Sequence, residues 1–206
     1  MRKAGFCPVV DCRLYSEIAS QRKMELTILH NGQDRRPAAF LDRDGVLNID
    51  HGYAHRPDQL DWVAGAPQAV RLLNEAGYIV VVVTNQSGVA RGYFPEAAVK
   101  LFHAAMQEGL EAHGAHIDAF YYCPHHPEGA VRELAIRCRC RKPATGMLEQ
   151  AARDWPIDPA RSFMIGDRDD DVTAAKAFGI RGIKFNSGDQ SLVDVVRREI
   201  AAQPPG

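Results

Sequence analysis

Acidic side chains crowd two short segments of this chain. Asp42-Arg43-Asp44-Gly45 follows a short apolar run, and Asp167 begins a stretch in which four of five residues are aspartates. Carboxylates this close together repel one another unless a cation neutralises them, and oxygen-only ligands favour a hard ion such as Mg²⁺. A lone Asp-x-Asp-Gly is equally compatible with a solvated turn. Its position directly after an apolar strand favours an acidic site that holds a metal ion.

Two other segments have groups that suit a phosphate. Thr84-Asn85-Gln86-Ser87-Gly88 ends a long apolar run with hydroxyl, amide and backbone N–H donors, although an ordinary helix N-cap has the same composition. Lys142, directly before Pro143, supplies a compact and mobile positive charge for phosphoryl oxygens. A carboxylate can approach a phosphate dianion only when a metal and a lysine neutralise charge, so the combination indicates phosphoryl transfer.

A further set of residues has the composition of a second metal site. The set is Cys123, His125, Cys138 and Cys140. Three thiolates and one imidazole are the ligands of a closed structural zinc site, although the one-residue gap within each pair is tighter than in common zinc knuckles. Redox cysteines and a chance group of reduced thiols are the alternatives. We predict a zinc loop over residues 123–140, which would also set the direction in which Lys142 points.

The elements that must position these residues follow from the apolar pattern. After Pro37, short apolar runs alternate with helical stretches, which is typical of βαβ units and a mostly parallel sheet. The predicted strands are 38–41, 78–83, 119–122, 162–165 and 182–185. The predicted helices are 67–76, 95–113, 146–154, 170–178 and 192–200. Such a doubly wound α/β sheet binds ligands beyond the carboxyl ends of its strands, where the acidic and phosphate-binding segments lie.

Length and charge narrow the class of protein. The 206 residues suffice for one substantial core, and we predict an N-terminal extension over 1–36 and a single domain over 37–206. A formal net charge of −1, without a basic stripe, argues against nucleic acid as a partner. No apolar run is long enough to span a membrane, and no signal peptide is recognisable. We therefore expect a cytoplasmic monomer that acts on a small molecule and binds no membrane.

The chemical segments occur in an order that resembles a known superfamily. Asp-x-Asp-Gly after a strand, Thr84 at the end of the next long strand, Lys142 before a proline and Gly-Asp-x-x-x-Asp after another strand resemble the four motifs of the haloacid dehalogenase (HAD) superfamily of phosphotransferases. The resemblance implies a Rossmann-like HAD fold with a small zinc loop and no large cap domain. It also implies a phosphoric monoester hydrolase that depends on Mg²⁺.

The same resemblance implies a role for each motif residue. Asp42 would be the nucleophile that becomes an aspartyl phosphate, and Asp44 would be the general acid for the leaving group and then the general base for water. Thr84 and Lys142 would hold the transferring phosphoryl group. The implied Mg²⁺ ligands are Asp42, the backbone carbonyl of Asp44 and Asp167, with Asp171 nearby.

Longer segments narrow the resemblance to the heptose 1,7-bisphosphate 7-phosphatase family. The similar segments, within residues 38–185, are FLDRDGVLN, DHGY, VVVTNQSGVARG, YYCPHHPEG and CRCRKPATGM. The implied reaction removes the 7-phosphate of D-glycero-D-manno-heptose 1,7-bisphosphate, a sugar bisphosphate on the route to lipopolysaccharide heptose. The implied substrate contacts are His51, Tyr53, Asn85, Gln86, Arg91 and Arg141.

Two departures and two alternatives accompany this interpretation. Arg168 stands where that family often has lysine, and the N-terminal extension is atypical. Histidinol-phosphate phosphatase has a similar Cys/His loop, but its loop tends to be shorter than the twelve residues that separate His125 from Cys138. An alternative of another class is a zinc-stabilised, non-catalytic binding module. The complete set of catalytic residue types argues against that alternative.

Three further histidines lie on or just beyond the helix predicted over 95–113. They are His103, His113 and His116. None has a partner at metal-ligand spacing, so we predict that each is exposed or hydrogen-bonded.

Overall fold

A five-stranded parallel sheet organises the protein, whose structure is a computed structural model that describes residues 35–202. The strands are β1 (Ala38–Leu41), β2 (Ile79–Asn85), β3 (Ala119–Cys123), β4 (Phe163–Gly166) and β5 (Arg181–Lys184). The helices are α1 (Ala66–Glu75), α2 (Ser87–Ala90), α3 (Glu96–Glu111), α4 (Gly146–Asp154), α5 (Asp169–Phe178) and α6 (Leu192–Ala201). Short 3-10 turns occur at Pro57–Gln59 and Pro159–Arg161.

The predicted strands and helices are all present, with ends that shift by no more than two residues. The short helix α2 was not predicted, because its four residues are too few to show a helical period. Residues 1–34 of the predicted N-terminal extension lie outside the described residues. Arg36 belongs to the folded part, since its guanidinium donates two hydrogen bonds, of 2.7 and 2.9 Å, to the carbonyl of Gly77.

Both faces of the sheet are buried, which explains the unbroken apolar run in β2. Alternate residues of a strand point to opposite faces. Leu41 and Val82 pack with α1, α3 and α6 on one face, whereas Phe40 and Val81 pack with α4 and α5 on the other. The fold is therefore a three-layer α/β arrangement, as predicted.

The strand order brings three loops together at one edge. The sheet runs β3-β2-β1-β4-β5, so β1 lies at the point where the chain changes direction, which is where open α/β sheets bind ligands. Leu41 pairs with Val82 on one side and with Ile165 on the other. The carboxyl ends of β1, β2 and β4 therefore adjoin, and the residues that follow them share one cleft.

No large cap covers this edge within the described part of the chain. The two longest connections, residues 42–65 and 124–145, contain no helix or strand apart from the Pro57–Gln59 turn. None of the helices over residues 35–202 has the length and apolar character needed to cross a membrane.

Helix α3 places a histidine in the core. His103 is 0% exposed, stacks on Phe120 with ring centroids 4.5 Å apart, and meets Tyr122 edge-on. Within residues 35–202 neither ring nitrogen has a hydrogen-bond partner. The prediction of an exposed or hydrogen-bonded side chain is wrong for this residue, because ring stacking replaces polar contacts. Burial, and then the positive charge of Arg43, hold the pKa of His103 well below its ordinary value.

Replacing this histidine should change how stability depends on pH. Below pH ~6.5 the unfolded chain binds a proton at His103, whereas the folded protein does not. The free energy of unfolding therefore falls by about 1.4 kcal/mol for each unit by which the pH is lowered. His103→Phe keeps the stacking and removes this loss. Between pH 7.5 and 5, urea unfolding should show the wild type losing about 2 kcal/mol relative to the variant. The exposed His113, changed to Gln, is the control, and a difference independent of pH would contradict the assignment.

Candidate active site

A buried lysine joins three elements at the carboxyl edge of the sheet. The Nζ atom of Lys142 donates to Asp42 Oδ1 at 2.7 Å and to the carbonyl of Val83 at 2.7 Å, and it pairs with Asp171 Oδ1 at 2.6 Å. An ammonium has three donors, and these contacts use all of them. Burial alone would lower the pKa of Lys142, but Asp42 and Asp171 outweigh burial and raise that pKa. The lysine is therefore a charged, fixed group.

Three carboxylates crowd around one small space beside this lysine. Oxygen atoms of Asp42, Asp167 and Asp171 all lie within 4.8 Å of one another. Burial raises the pKa of Asp42 to about 7, with Lys142 opposing and Asp171 adding to the rise. Burial, followed by Asp171, also raises the pKa of Asp167. The three carboxylates can carry more negative charge than the single lysine in contact with them can neutralise.

A divalent cation fits this cluster by the chemistry of its donors. The Oδ1 atom of Asp167 is buried and has no hydrogen-bond partner among residues 35–202. A buried carboxylate oxygen without a partner is costly, and coordination to a cation would satisfy it. Hard oxygen ligands in such number suit Mg²⁺. Asp42 and Asp167 were both predicted ligands; Asp171, expected only nearby, belongs to the cluster and, like Asp42, directly contacts the lysine.

The second aspartate of the first motif has a different environment. Asp44 Oδ1 accepts from Arg43 Nη2 at 2.8 Å and from Asn48 Nδ2 at 3.0 Å, while Oδ2 accepts from Gln86 Nε2 at 2.9 Å. Burial tends to raise the pKa of Asp44, but the charge and hydrogen bonds of Arg43 lead the contributions that lower it overall. Asp44 and Asp42 are thus two carboxylates whose surroundings shift their pKa values in opposite directions.

The polar segment after β2 supplies the opposite wall. Thr84 is buried, and its hydroxyl accepts from Gln86 Nε2 at 2.9 Å. The same Gln86 nitrogen reaches Asp44, so one amide links the end of β2 to the first motif. Helix α2 begins immediately afterwards at Ser87. The sequence interpretation placed Gln86 against the substrate, and the structure shows its amide nitrogen bonded to protein groups.

The predicted substrate residue Asn85 also has protein partners. Its Oδ1 accepts from the backbone N–H of Lys142 at 3.0 Å, and its Nδ2 donates to the Lys142 carbonyl at 3.1 Å. Both polar atoms of one side chain therefore hold the backbone of one residue. This two-point contact fixes where the lysine side chain starts, directly beyond the zinc-ligand candidate Cys140.

These groups line a cleft of about 230 Å³. The lining residues are Asp42, Asp44, Asp50, Gly52, Tyr53, Thr84, Asn85, Gln86, Ser87, Arg141, Lys142, Arg168, Asp170 and Asp171. Two predicted substrate residues lie outside this lining. His51 Nε2 lies 3.1 Å from Asp61 Oδ2, and Arg91 Nη2 lies 3.3 Å from His126 Nε2.

The outer rim of the cleft combines an aromatic residue with an ion pair. Tyr53 has a positive φ of 60°, a conformation that bulky residues rarely adopt, and its ring meets Tyr93 edge-on at 4.8 Å. Arg168 Nη2 contacts Asp50 Oδ2 at 3.2 Å and so links the loop after β4 to the loop after β1. Asp50 was not among the predicted site residues, because its distance from Arg168 along the sequence carries no signal of this contact. Ser87, part of the predicted phosphate-binding segment, lines the cleft.

The cysteine and histidine candidates converge as the sequence predicts. The Sγ atoms of Cys123, Cys138 and Cys140 are 3.3–3.4 Å apart, and His125 Nδ1 lies 3.6 Å from Cys123 and 3.4 Å from Cys140. A tetrahedral zinc site with Zn–S bonds of ~2.3 Å has sulfur atoms ~3.8 Å apart, so the arrangement is that of a slightly contracted tetrahedron. The four side chains fit a metal ion.

The contacts among the thiols favour negative charge on one sulfur atom of this cluster, that of Cys138. The hydrogen bond from Cys123 lowers the pKa of Cys138 to about 4, and the same pair interaction raises the pKa of Cys123. One thiolate is thus stabilised by neighbouring thiols. A cation at the centre would allow all three sulfurs to ionise.

Known proteins with similar sequences carry phosphatase names. The chain is 48% identical over 166 residues to D-glycero-beta-D-manno-heptose-1,7-bisphosphate 7-phosphatase of Rhodopseudomonas palustris, covering 81% of this chain and 91% of the relative. The protein of the same name from Escherichia coli K12 is 46% identical over 144 residues, covering 70% of this chain and 75% of that relative. A family profile, Hydrolase_like, described as HAD-hyrolase-like, matches residues 139–204.

A solved structure is similar in fold as well. The crystal structure of D,D-heptose 1,7-bisphosphate phosphatase from B. bronchiseptica, complexed with magnesium and phosphate, superposes with a TM-score of 0.71 and 31% sequence identity. The match covers 81% of this chain and 99% of that one.

Removing the Asp42 charge should stabilise the metal-free protein. Because folding raises the pKa of Asp42 from 3.8 to about 7, the unfolded chain loses this proton at a lower pH than the folded protein does. Stability therefore falls as pH rises from about 4 to 7, and the full cost is present above pH 7. With EDTA at pH 8, Asp42→Asn should raise the free energy of unfolding by about 2–4 kcal/mol, and the gain should shrink towards pH 4. Urea unfolding measures both values.

Mg²⁺ should reverse which of the two proteins, the wild type or Asp42→Asn, is the more stable. The ion binds the cluster through carboxylates, so it should raise the unfolding midpoint of the wild type more than that of Asp42→Asn. The exposed Asp58, changed to Asn, is the matched control for loss of one carboxylate. Equal stability of wild type and Asp42→Asn in EDTA at pH 8 would show that the cluster is not under charge strain.

Proposed function

The chain belongs to the D-glycero-D-manno-heptose 1,7-bisphosphate 7-phosphatase family of HAD phosphatases, and from that premise we propose that it hydrolyses the 7-phosphate of this sugar. Since the curated relatives are named for the β anomer, we infer the same preference here. One observation carries the proposal. Buried Asp42 faces the space shared with Asp167 and Asp171, and Lys142 bonds it from the side.

In the first chemical step, the Asp42 carboxylate replaces the sugar oxygen on the phosphorus atom. A carboxylate oxygen of Asp42 attacks the phosphorus atom, and the bond to the sugar oxygen breaks with its electron pair on that oxygen. Asp44 gives its proton to the same oxygen, so the sugar leaves as an alcohol. The products of this step are the aspartyl phosphate and the Asp44 carboxylate.

The second step regenerates the enzyme. Asp44 takes a proton from water as the water oxygen attacks the phosphorus atom, and the bond to Asp42 breaks with its electrons on the carboxylate. Inorganic phosphate leaves. The positive charge of Lys142 and the hydroxyl of Thr84, at the ends of the converging segments, stabilise the phosphoryl oxygens. Mg²⁺ bound by Asp42, Asp167 and the backbone carbonyl of Asp44 would neutralise the charge that builds up there.

The second phosphate of the substrate needs a separate cation. Arg141 lines the cleft next to Lys142, and its guanidinium suits bidentate binding of a phosphate. Arg168 lines the same cleft and is held by Asp50 at 3.2 Å. Arg91 lies behind this wall, against His126. We assign the distal phosphate to Arg141, with Tyr53 on the sugar side of the rim.

The cysteine cluster supports zinc in a structural role. Cys123 ends β3 and Cys140 directly precedes the Arg141–Lys142 pair, so a metal here would tie the phosphate-binding cations to the sheet. A structural zinc of this kind contributes on the order of 10 kcal/mol to ordering its segment. Among the described residues, Cys123, Cys138 and Cys140 form no disulfide, as is usual in a reducing compartment, and we therefore propose the cytoplasm as the location.

Activity on defined esters tests the function. With Mg²⁺, the wild type should release phosphate from the β anomer of heptose 1,7-bisphosphate faster than from the α anomer. Asp42→Asn should lower turnover by at least ~10³-fold, because no other carboxylate in the cluster has the nucleophile's position. Phosphate release from both anomers and from histidinol phosphate provides the comparison.

Each outcome separates the alternatives. Turnover of histidinol phosphate alone would keep the mechanism and overturn the heptose assignment. No turnover of any phosphate ester by folded protein that contains both metals would favour a non-catalytic binding module.

Metal analysis tests the zinc proposal. Protein purified without chelators should contain about one zinc per chain, and Cys140→Ser should lose the zinc and unfold at a lower temperature. His126→Ala is the matched control, since His126 adjoins a ligand without belonging to the cluster. A wild type that is folded and free of zinc would contradict a structural zinc.

A further inference from the structure

The arginine between the two motif aspartates has no part in the reaction described so far. We propose that Arg43 is a positioning residue, which holds the Asp44 carboxylate in the orientation that proton transfer to the leaving oxygen requires. The inference rests on the proposed function, in which Asp44 is the acid and base. The effect of Arg43 that can be measured separately is on the first step of the reaction, the departure of the alcohol.

The contacts between Arg43 and Asp44 restrain both carboxylate oxygens. Arg43 Nε donates to Oδ1 at 3.1 Å, and Nη2 lies 2.8 Å from each of Oδ1 and Oδ2. Asn48 and Gln86 add one hydrogen bond to each oxygen. A carboxylate with donors from three side chains at these distances cannot rotate without breaking several charge-assisted hydrogen bonds.

The guanidinium is itself held by groups outside the cleft. Arg43 is 0% exposed, its Nη2 donates to the carbonyl of Ala54 at 2.8 Å, and its guanidinium carbon lies 4.5 Å from the centre of the Phe102 ring. Phe102 belongs to helix α3 and Ala54 to the loop after β1. The orientation of Asp44 is therefore determined by the packing of α3 against that loop.

A purely structural role explains these contacts poorly. Removing a guanidinium from water costs several kcal/mol, and a buried ion pair often stabilises a protein no better than apolar side chains of the same volume. The Nη1 atom of Arg43 has no hydrogen-bond partner among the described residues, so part of that cost is not recovered. Asp44 retains 19% side-chain exposure and lines the cleft. The pair thus extends from the core to the site of reaction.

The expected effect depends on the leaving group. When the bond from phosphorus to a sugar oxygen breaks, the electron pair stays on an alkoxide that needs the Asp44 proton to leave. A nitrophenolate is a far weaker base and leaves without that proton. Loss of Arg43 should therefore slow the cleavage of sugar phosphates and spare the cleavage of p-nitrophenyl phosphate.

Comparing kcat/KM for two kinds of ester tests the proposal, since this constant reports only steps up to alcohol release. The substrates are p-nitrophenyl phosphate and a sugar phosphate, either the heptose bisphosphate or a hexose 6-phosphate. Arg43→Met should lower kcat/KM for the sugar ester by about 10²-fold and for the nitrophenyl ester by less than about 5-fold. Asp44→Asn should show the same selective loss, and the double variant should lose little more than either alone.

Two further variants distinguish a positioning role of Arg43 from a merely structural one. Arg43→Lys keeps the charge without the planar fork, so it should show a smaller selective loss, and it carries the test if Arg43→Met does not fold. Leu110→Ala makes a cavity at another buried position of α3 and should affect both esters equally. Equal losses for both esters in the Arg43 variants would overturn the positioning role.

Failure of the proposed function gives a different result. If the wild type cleaves a hexose 6-phosphate and p-nitrophenyl phosphate but not the heptose bisphosphate, the substrate assignment fails. The losses of kcat/KM for the two cleaved esters in the Arg43 variants then still decide the role of Arg43. If folded, Mg²⁺-loaded wild type cleaves neither kind of ester, the phosphatase proposal is overturned and the Arg43 proposal with it.

Discussion

The structure depends on one electrostatic constraint: three carboxylates, two of them buried and one half-buried, converge beside a single lysine. Asp42, Asp167 and Asp171 converge within 4.8 Å, and Lys142 bonds two of them directly. Such a cluster opposes folding unless a cation completes it, and the raised pKa of Asp42 expresses that opposition. The same excess of negative charge attracts a divalent metal, and in the proposed reaction that metal would let a phosphate dianion approach the Asp42 carboxylate. The carboxylate cluster therefore lowers the stability of the protein at the place where the proposed function requires charged groups.

The position of that lysine is decided by the segment that carries it. Lys142 follows the cysteine cluster, in a stretch with few buried apolar side chains, so burial cannot order it alone. Asn85 clamps its backbone from the end of β2, and the convergent sulfur atoms provide a second anchor through Cys140. Two kinds of attachment, the Asn85 clamp and the cysteine cluster, therefore hold Lys142 in place of a hydrophobic core.

The two motif aspartates are separated by their surroundings. Without metal or substrate, burial raises the pKa of Asp42, whereas Arg43 leads the interactions that lower the pKa of Asp44. The proposed reaction needs the reverse, an ionised Asp42 as nucleophile and a protonated Asp44 as acid. A cation at the carboxylates would lower the first pKa, and the charge of a bound phosphoryl group would raise the second. In the proposed mechanism, binding of the metal and the substrate would thus bring Asp42 and Asp44 into the protonation states that the reaction needs.

The sequence by itself determined the alternation of strands and helices and indicated two candidate metal-ligand sets, because apolar period and ligand spacing are local properties of the chain. The family similarity of the chain agrees with that interpretation. Only the tertiary structure decided that Arg43 is buried under Phe102, that Asn85 holds Lys142, and that His103 stacks in the core. These contacts join residues far apart in the chain, or turn a side chain inward, and so depend on how helices pack over the sheet. No spacing along the sequence records that packing, since one polar residue type can serve a surface, a clamp or a buried pair.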